Sequence, residues 1–247
     1  MEIELAHRGV VCRISNGWRM EIPAGARGTY RLAQLDDYSH RPRRFFPHVP
    51  PLTVSLRARV SASDLPGTWG FGLWNDPFGL SLGFGGSPVR LPALPQAAWF
   101  FYGSPENYLS FQEKVPANGF FAGTFASPHF PTLVLAPTAL ALPMLAICPL
   151  SRWLHRLAGK LIHQDGAPLR VDAAPWHAYK IEWQSSLCRF CVDDVIVLET
   201  HLAPSAPLGL VFWIDNQYAA WDPDRRPGYG TLKNPAAWLE IATLSVC

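Results

Sequence analysis

The stretch LTVSLRARV, residues 52–60, alternates apolar and polar side chains without a break. This period of two is typical of a β-strand with one buried face and one solvated face. The apolar positions are Leu52, Val54, Leu56, Ala58 and Val60. The stretch therefore predicts a strand that packs one of its faces on a core.

The C-terminal third of the chain predicts further strands. The candidates, in chain order, are WHAYKIEW (176–183), LCRFCV (187–192), VIVLE (195–199), LGLVFWID (208–215) and AWLEIATLSV (237–246). The second and third are joined across Asp193 and Asp194, and two residues of this type form a tight hairpin turn. No segment alternates strands with helices as a parallel fold does, so we expect an all-β protein.

The composition fits one β domain over residues 1–247. The 247 residues are 49% hydrophobic and 16% charged, which provides enough apolar chain for a substantial core. The 24 prolines and 19 glycines disfavour long helices, because proline removes a backbone donor and glycine costs entropy in regular elements. The formal net charge is +2 and no basic run exceeds RPRR (41–44), so we expect no nucleic-acid partner.

The cysteines and the N-terminus predict a cytoplasmic protein with free thiols. Five cysteines are an odd number, and the first residues show no basic start followed by an apolar signal core. Cys188 and Cys191 have the spacing of a redox or zinc pair, but they lie in a strand-like run without a second pair. We interpret them as structural thiols and expect neither a metal site nor a cofactor.

An apolar insertion is expected at about 130–165. Residues 130–151 carry no charge, and prolines at 131, 137, 143 and 149 interrupt them, which disfavours a membrane span. The amphipathic basic stretch RWLHRLAGK follows at 152–160. We expect an apolar loop and a short helix from about Ser151 to Ile162, packed on the domain or acting as a lid. A contact of residues 130–160 with a membrane surface or a second copy stays open.

Several of these segments together resemble one known family. They are VSLRARVSASDLPGTWGFGLWND (54–76), PWHAYKIEWQSSLCRFCVDDVIVLET (175–200), PLGLVFWIDN (207–216) and the closing AWLEIATLSV. Their order is similar to that in laminarinase-like family 16 glycoside hydrolases, within the concanavalin A-like lectin and glucanase superfamily. The resemblance covers most of residues 50–247. It implies a jelly-roll sandwich of two antiparallel sheets with a sugar-binding groove on the concave face.

The chain departs from the family's catalytic pattern. Active members of that family carry Glu-x-Asp-x-Glu, or a variant longer by one residue, on one face of a strand, which places a nucleophile and an acid beside the sugar. The equivalent place in chain order reads AAWFFYGSPENY, residues 97–108, with aromatic residues in place of the carboxylates. The resemblance therefore implies the fold and the groove, whereas standard retaining hydrolysis has no residues to carry it.

Aromatic and acidic residues are the candidates for a ligand site. The predicted ligand-binding residues are Trp69, Phe71, Trp74, Trp99, Phe101, Tyr108, Trp213, Asn216 and Tyr218. The rings suit stacking on a sugar face or a hydrocarbon, and each of them has filling of the sandwich core as its alternative role. The catalytic candidates are Asp76, Tyr102 and Asp215, and Asp76, directly before a proline, has turn formation as its alternative.

Three functions are compatible with this pattern. The first is a ligand-binding laminarinase-like sandwich whose aromatic groove holds a carbohydrate or a related small molecule. The second is a non-hydrolytic enzyme, an isomerase, cyclase or hydratase, that acts on an apolar isoprenoid- or polyketide-like substrate with protons supplied by the catalytic candidates. The third is a structural or partner-binding sandwich in which the insertion forms an interface. A shielded pocket with one shifted acid would favour the second function, and an open groove mixing rings with amides and acids would favour the first.

Overall fold

Two seven-stranded antiparallel sheets face each other in the computed structural model, which describes residues 3–77, 93–112, 114–128 and 148–247. The strands are β1 (Ile3–His7), β2 (Val10–Ile14), β3 (Gly17–Ile22), β4 (Leu32–Asp36), β5 (Leu52–Val60), β6 (Thr68–Trp74), β7 (Ala97–Gly103), β8 (Gly119–Ala126), β9 (His163–Pro168), β10 (His177–Trp183), β11 (Cys188–Val192), β12 (Val195–Thr200), β13 (Gly209–Asp215), β14 (Gln217–Ala220), β15 (Gly228–Thr231) and β16 (Ala237–Val246). The helices are a 3-10 turn, Arg43–Phe45, and α1, Cys148–Leu161.

The strand order defines the two layers. Sheet A has the order β1-β4-β13-β6-β7-β8-β9, and sheet B has the order β12-β11-β10-β5-β16-β3-β2. The strands β14 and β15 form a separate two-stranded ribbon. The all-β sandwich of two antiparallel sheets expected from the sequence is thereby confirmed.

The best-patterned segments of the sequence form the predicted strands. The bounds of β5 and β16 coincide with the predicted residues 52–60 and 237–246. The predicted hairpin joins β11 to β12, because Val192 pairs with Val195 across the two aspartates. Asp193 and Asp194 have φ angles of 48° and 64°, the left-handed conformation that a type I′ turn requires.

Large rings fill the space between the sheets. On sheet A, Phe71 of β6 and Phe100 of β7 point inward, and both rings meet Tyr179 of β10 with centroids 5.0 Å apart. Phe100 also meets the edge of Phe190 on β11, at 5.5 Å. These contacts join one sheet to the other, and the apolar area that they remove from water stabilises the sandwich.

Sheet A is also buried on its outer face. Every residue of β7 and of β13 is buried, so neither strand has a solvated face. We call the rings on this face the outer cluster; its members are Trp74, Trp99, Phe101, Phe121, Phe125 and Trp213. Strands buried on both faces are apolar throughout rather than alternating, which explains the sequence AAWFFYG of β7.

The predicted short helix is present and packs on the domain. It spans Cys148–Leu161, against an expected start at about Ser151 and an expected end at Ile162. Ala158 and Ile162 pack against the outer cluster. The predicted apolar loop, 130–147, lies outside the described residues. Within the described ranges, no helix is long and apolar enough to cross a membrane.

The two cysteines of β11 lie on different faces of the strand. Cys188 points into the core between the sheets, and burial raises the pKa of its thiol to about 12. Burial also raises the pKa of Cys191, which lies on the outer face of sheet B beside Lys180. Side chains three apart on a strand point in opposite directions, so the geometry does not form a shared metal or redox site here. In the described part of the chain, no group of three or more metal-binding side chains comes together.

Candidate functional site

The outer cluster arises from the register of three neighbouring strands. On β7, Trp99 and Phe101 point away from sheet B, because Phe100, which lies between them along the strand, points inward. Their cross-strand partners on β6 are Gly72 and Gly70. Gly70 also pairs with Trp213 of β13, and a Cβ atom built on Gly70 would lie 2.6 Å from Cη2 of Trp213. The missing side chain therefore lets the Trp213 ring lie across β6.

Trp213 is the centre of the cluster. Its ring centroid lies 5.7 Å from that of Trp99 and 5.6 Å from that of Phe101. Trp74 stacks on it nearly in parallel, with centroids 6.3 Å apart and an interplanar angle of 8°. Trp99, Phe101 and Trp213 are only 5–8% exposed. The aromatic rings are thus shielded from solvent and do not form an open surface.

Two indole groups in the cluster have no hydrogen-bond partner among the described residues. Nε1 of Trp74 and Nε1 of Trp99 are buried, and no acceptor among the described residues reaches either atom. The third indole is satisfied, since Nε1 of Trp213 donates to Oγ1 of Thr68 at 2.9 Å. A buried donor without a partner costs on the order of 1–3 kcal/mol. A ligand that offers acceptor oxygens to these two donors would remove that cost.

Asp215 lies at one edge of the cluster in a dense hydrogen-bond network. Its Oδ1 accepts from the Thr68 hydroxyl at 2.9 Å, from the Thr68 backbone N–H at 3.2 Å and from the Gln217 backbone N–H at 3.0 Å. Burial raises the pKa of this carboxyl to about 7, even though these hydrogen bonds lower it. Burial and the nearby Asp215 carboxylate also raise the pKa of Tyr30. A carboxyl group near pKa 7 exchanges a proton readily at neutral pH.

Four of the predicted ligand-binding residues come together, with one predicted catalytic residue beside them. Trp74, Trp99, Phe101 and Trp213 share the outer face of sheet A, and Asp215 lies on the same face, two residues from Trp213 along β13. These five residues lie together on one face, and their role as a ligand site stays a prediction.

Two other predicted ring residues belong to the core. Trp69 and Phe71 lie between the sheets and not in the outer cluster. The reason is the alternation along β6, which turns both rings inward and leaves Trp74 as its outward ring. Trp69 and Phe71 therefore take the alternative role of filling the sandwich core, and the prediction that they line the ligand site with Trp74 is corrected.

Tyr102 and Asp76 are also separated from the acid of the site. Tyr102 points inward from β7 and stacks on Trp69, with centroids 5.4 Å apart; burial raises its pKa. Asp76 follows β6 in a left-handed conformation with φ of 47°, and its backbone carbonyl accepts from the guanidinium of Arg43. This geometry matches the turn role weighed for Asp76. Neither side chain lies in one site with Asp215.

The last three predicted residues surround the cluster without joining it. Asn216 is fully buried, where its side chain accepts from the Arg31 N–H at 2.8 Å and donates to the carbonyls of Thr29 and Leu232. These bonds fix the connection after β13. Tyr108 is half-buried near His155 of α1, and Tyr218 is half-buried on the small ribbon.

Several residues of the site were missed by the sequence interpretation. Phe121 and Phe125 of β8 contact Phe101 and Trp99 respectively. Their spacing by four in GFFAGTFA places them on one face of a strand, and this signal could have found them. Thr68 gave no such signal, because its partner Asp215 lies 147 residues away in the chain.

The carboxylates on this face do not form a glycosidase pair. Asp36 of β4 lies on the same face, where it accepts hydrogen bonds from the Gln34 side chain, from the Tyr38 N–H and from the Ser39 N–H and hydroxyl. It pairs with Val211, four residues from Asp215, so the two acids lie about 13 Å apart along the strand. Glycosidases place their two carboxyl groups about 5–10 Å apart.

Comparison with known proteins finds similarity only among solved structures. No protein-family model matches the chain, and no curated protein matches it. One similar structure is a sialidase, with a TM-score of 0.44 and 9% identity over 97% of this chain and 16% of that one. Another is the endo-β-galactosidase from Clostridium perfringens that releases GlcNAcα1-4Gal, with a TM-score of 0.44 and 10% identity over 94% of this chain and 53% of that one. A family 16 endo-glucanase from Bacteroides ovatus gives a TM-score of 0.47 at 9% identity, over 97% of this chain and 85% of that one. The chain thus spans about half or less of the first two proteins, and no activity follows from such distant similarity.

Proposed function

We propose that this chain is a ligand-binding β-sandwich whose site is the outer cluster of sheet A, with a carbohydrate as the ligand. The observation that carries the proposal is the pair of buried indole donors, Nε1 of Trp74 and Nε1 of Trp99, without acceptors among the described residues. They lie within one group of rings around Trp213.

A carbohydrate matches the rings and the unpaired donors of the cluster, whereas the low exposure of the rings differs from the open groove expected for a sugar and matches the second candidate. The ring faces of a sugar present C–H groups that stack on tryptophan, and its hydroxyl oxygens accept hydrogen bonds from indole N–H groups. Thr68 and Asp215 at the edge of the cluster add a hydroxyl and a carboxyl that pair with sugar hydroxyls. The separation of Asp36 and Asp215 supports binding over paired-carboxylate hydrolysis as the proposed function.

The second candidate is a non-hydrolytic enzyme acting on an apolar isoprenoid- or polyketide-like substrate. The pKa of Asp215, raised to about 7 by burial, favours it, because such a carboxyl can donate and recover a proton during an isomerisation or cyclisation. The low exposure of the rings around Trp213 also favours a substrate that needs shielding from water.

The test is a titration of the folded protein against two panels, β-glucan oligosaccharides and isoprenoid or polyketide-like compounds. Binding raises the melting temperature by mass action, and calorimetry gives the affinity. We expect W74F and W99F each to weaken binding about tenfold, because each keeps a ring and loses one N–H donor. W238F, on the outer face of sheet B, is the matched control and should bind as the unaltered chain does.

The two panels separate the candidates. Binding of the oligosaccharides alone supports the carbohydrate site. Binding of the apolar compounds alone, with turnover that D215N abolishes, replaces it with the enzyme. If neither panel stabilises the protein, or if W238F loses as much affinity as W74F, the outer cluster is not the ligand site.

A further inference from the structure

The exposed face of α1 carries two parallel stripes of different chemistry. Trp153 and Leu157 are 58% and 40% exposed and lie one turn apart. Arg152, Arg156 and Lys160 are exposed as well, and each follows the previous one after four residues. An apolar stripe therefore runs beside a cationic stripe along the same outward side of the helix.

The opposite side of the helix is tied to the domain, which fixes this orientation. The Trp221 indole N–H donates to Oγ of Ser151 at 3.0 Å, and the Gln112 side chain donates to the carbonyl of Gly159 at 2.8 Å. The ring of His155 contacts those of Phe111 and Trp221, with centroids 5.6 and 5.5 Å away. Because these contacts span the helix, the exposed stripes cannot turn inward without breaking them.

The charge on this face is unbalanced. No acidic residue occurs in the sequence of α1. Arg156 and Lys160 form no ion pair with any described residue of the chain. Arg152 donates to the carbonyl of Pro223 at 3.2 Å, between Asp222 and Asp224, so the two cations without acidic neighbours on their own helix are Arg156 and Lys160. The face therefore attracts negative charge as well as apolar surface.

We propose that the exposed face of α1 docks on an anionic lipid surface. A helix lying in the plane of a membrane places aromatic and aliphatic side chains at the boundary of headgroups and acyl chains, and its cations meet anionic headgroups. Trp153 and Leu157 supply the apolar contact with the acyl chains. Arg156 and Lys160 supply the contact with the anionic headgroups. A second copy of this chain fits less well, because a two-fold contact through this face brings like charges together.

The experiment is a flotation assay of the full chain with vesicles of phosphatidylcholine alone and of phosphatidylcholine mixed with phosphatidylserine. We expect binding to the mixed vesicles only, weakening as salt is added. The double variant R156Q/K160Q should lower the partition coefficient about 30-fold, from about a fivefold loss for each cation removed. W153S tests the apolar stripe and should also weaken binding.

A charge-matched control separates this face from general attraction. R27Q/R170Q removes two exposed cations outside α1 and should leave the partition coefficient unchanged. Equal loss in the two double variants, or binding that does not need phosphatidylserine, overturns the proposal. So does the absence of binding by the unaltered chain. Sedimentation of the protein without vesicles measures its oligomeric state. If the unaltered chain is a dimer and R156Q/K160Q is a monomer, this face is an interface between two copies instead.

Discussion

The outer faces of the two sheets follow the same strand geometry but carry opposite chemistry. On sheet B, Arg59 lies between the rings of Trp176 and Trp238, 4.8 and 5.2 Å from their centroids, and Arg19 covers the other side of Trp238 at 4.6 Å. Glu240 binds both of these arginines. On sheet A, the rings of Trp99 and Phe101 surround Trp213, whose indole N–H donates to the Thr68 hydroxyl. The carboxyl of Asp215, two residues away along β13, is buried.

The difference shows what each face is suited to do. The tryptophans of sheet B are covered by cations that remain in contact with water, so this face satisfies its polar groups by itself. The outer face of sheet A has no such cover, and it leaves the indole N–H groups of Trp74 and Trp99 without partners among the described residues. These unpaired donors are the observation on which the proposed ligand site rests.

The largest effect that we predict concerns Asp215 and pH. Its pKa of about 7 in the folded state lies above its usual value of about 3.9 in an unfolded chain. Between these two values the folded state retains a proton that the unfolded state has lost, so the free energy of unfolding falls as pH rises. The fall attributable to this group is about 4 kcal/mol between about pH 4 and 7, and it levels off above that range.

The variant D215N isolates this dependence. Urea unfolding at a series of pH values should show the fall in the unaltered chain and not in D215N, because the amide does not titrate. Asp224, exposed in the loop after β14, supplies the control D224N, which should follow the unaltered chain. If the unaltered chain and D215N gave parallel curves, Asp215 would not be a buried neutral acid, and the contrast between the two outer faces would weaken.

A smaller effect tests how tightly the outer cluster is packed. A Cβ atom on Gly70 would lie 2.6 Å from the carbonyl oxygen of Phe100 and 2.6 Å from the Trp213 ring. Because the first of these atoms belongs to the backbone, G70A should lower the free energy of unfolding by about 1–3 kcal/mol. G228A on β15 is the control, since its nearest atom lies 3.7 Å away. Equal stability of the two variants, measured by urea unfolding, would mean that the cluster is loosely packed.

The same contrast explains what could be predicted from the sequence. Apolar and polar side chains alternate along β5 because one face of the strand is solvated. The bounds of β5 followed from that pattern alone. The strand β7 is buried on both faces, so its apolar sequence does not reveal that Trp99 faces the outer cluster while Tyr102 faces the core. The fold was therefore more predictable than the site.

The environment of Asp215 could not be predicted for a different reason. Its raised pKa results from burial, and its hydrogen bonds come from Thr68 at a separation of 147 residues. No local pattern encodes such a contact, because it depends on how β6 and β13 pair in the finished sheet. The rings of the site were visible as residue types, but their grouping required the register.

The smallest effect concerns the outer face of sheet B. Glu240 is nearly buried and accepts from Arg19 at 3.1 Å and from Arg59 at 2.8 Å. E240Q removes the charge and replaces one of the two acceptor oxygens with an NH2 donor, so Arg19 and Arg59 lose their shared ion-pair partner. The arginines are partly exposed and water screens them, so we expect a loss of about 1–2 kcal/mol in the free energy of unfolding.

The matched control is E199Q on the edge strand β12, where the carboxylate is 46% exposed and its partner Arg189 keeps a second carboxylate, Glu182. It should change stability less than E240Q does in the same urea titration. Added salt should shrink the difference between the two variants, because the ion pairs of this face are screened whereas the rings of the outer cluster are not. If salt does not change the effect of E240Q, Glu240 is shielded from solvent in the same way as Asp215 on sheet A. The outer faces of the two sheets would then differ only in their residue composition.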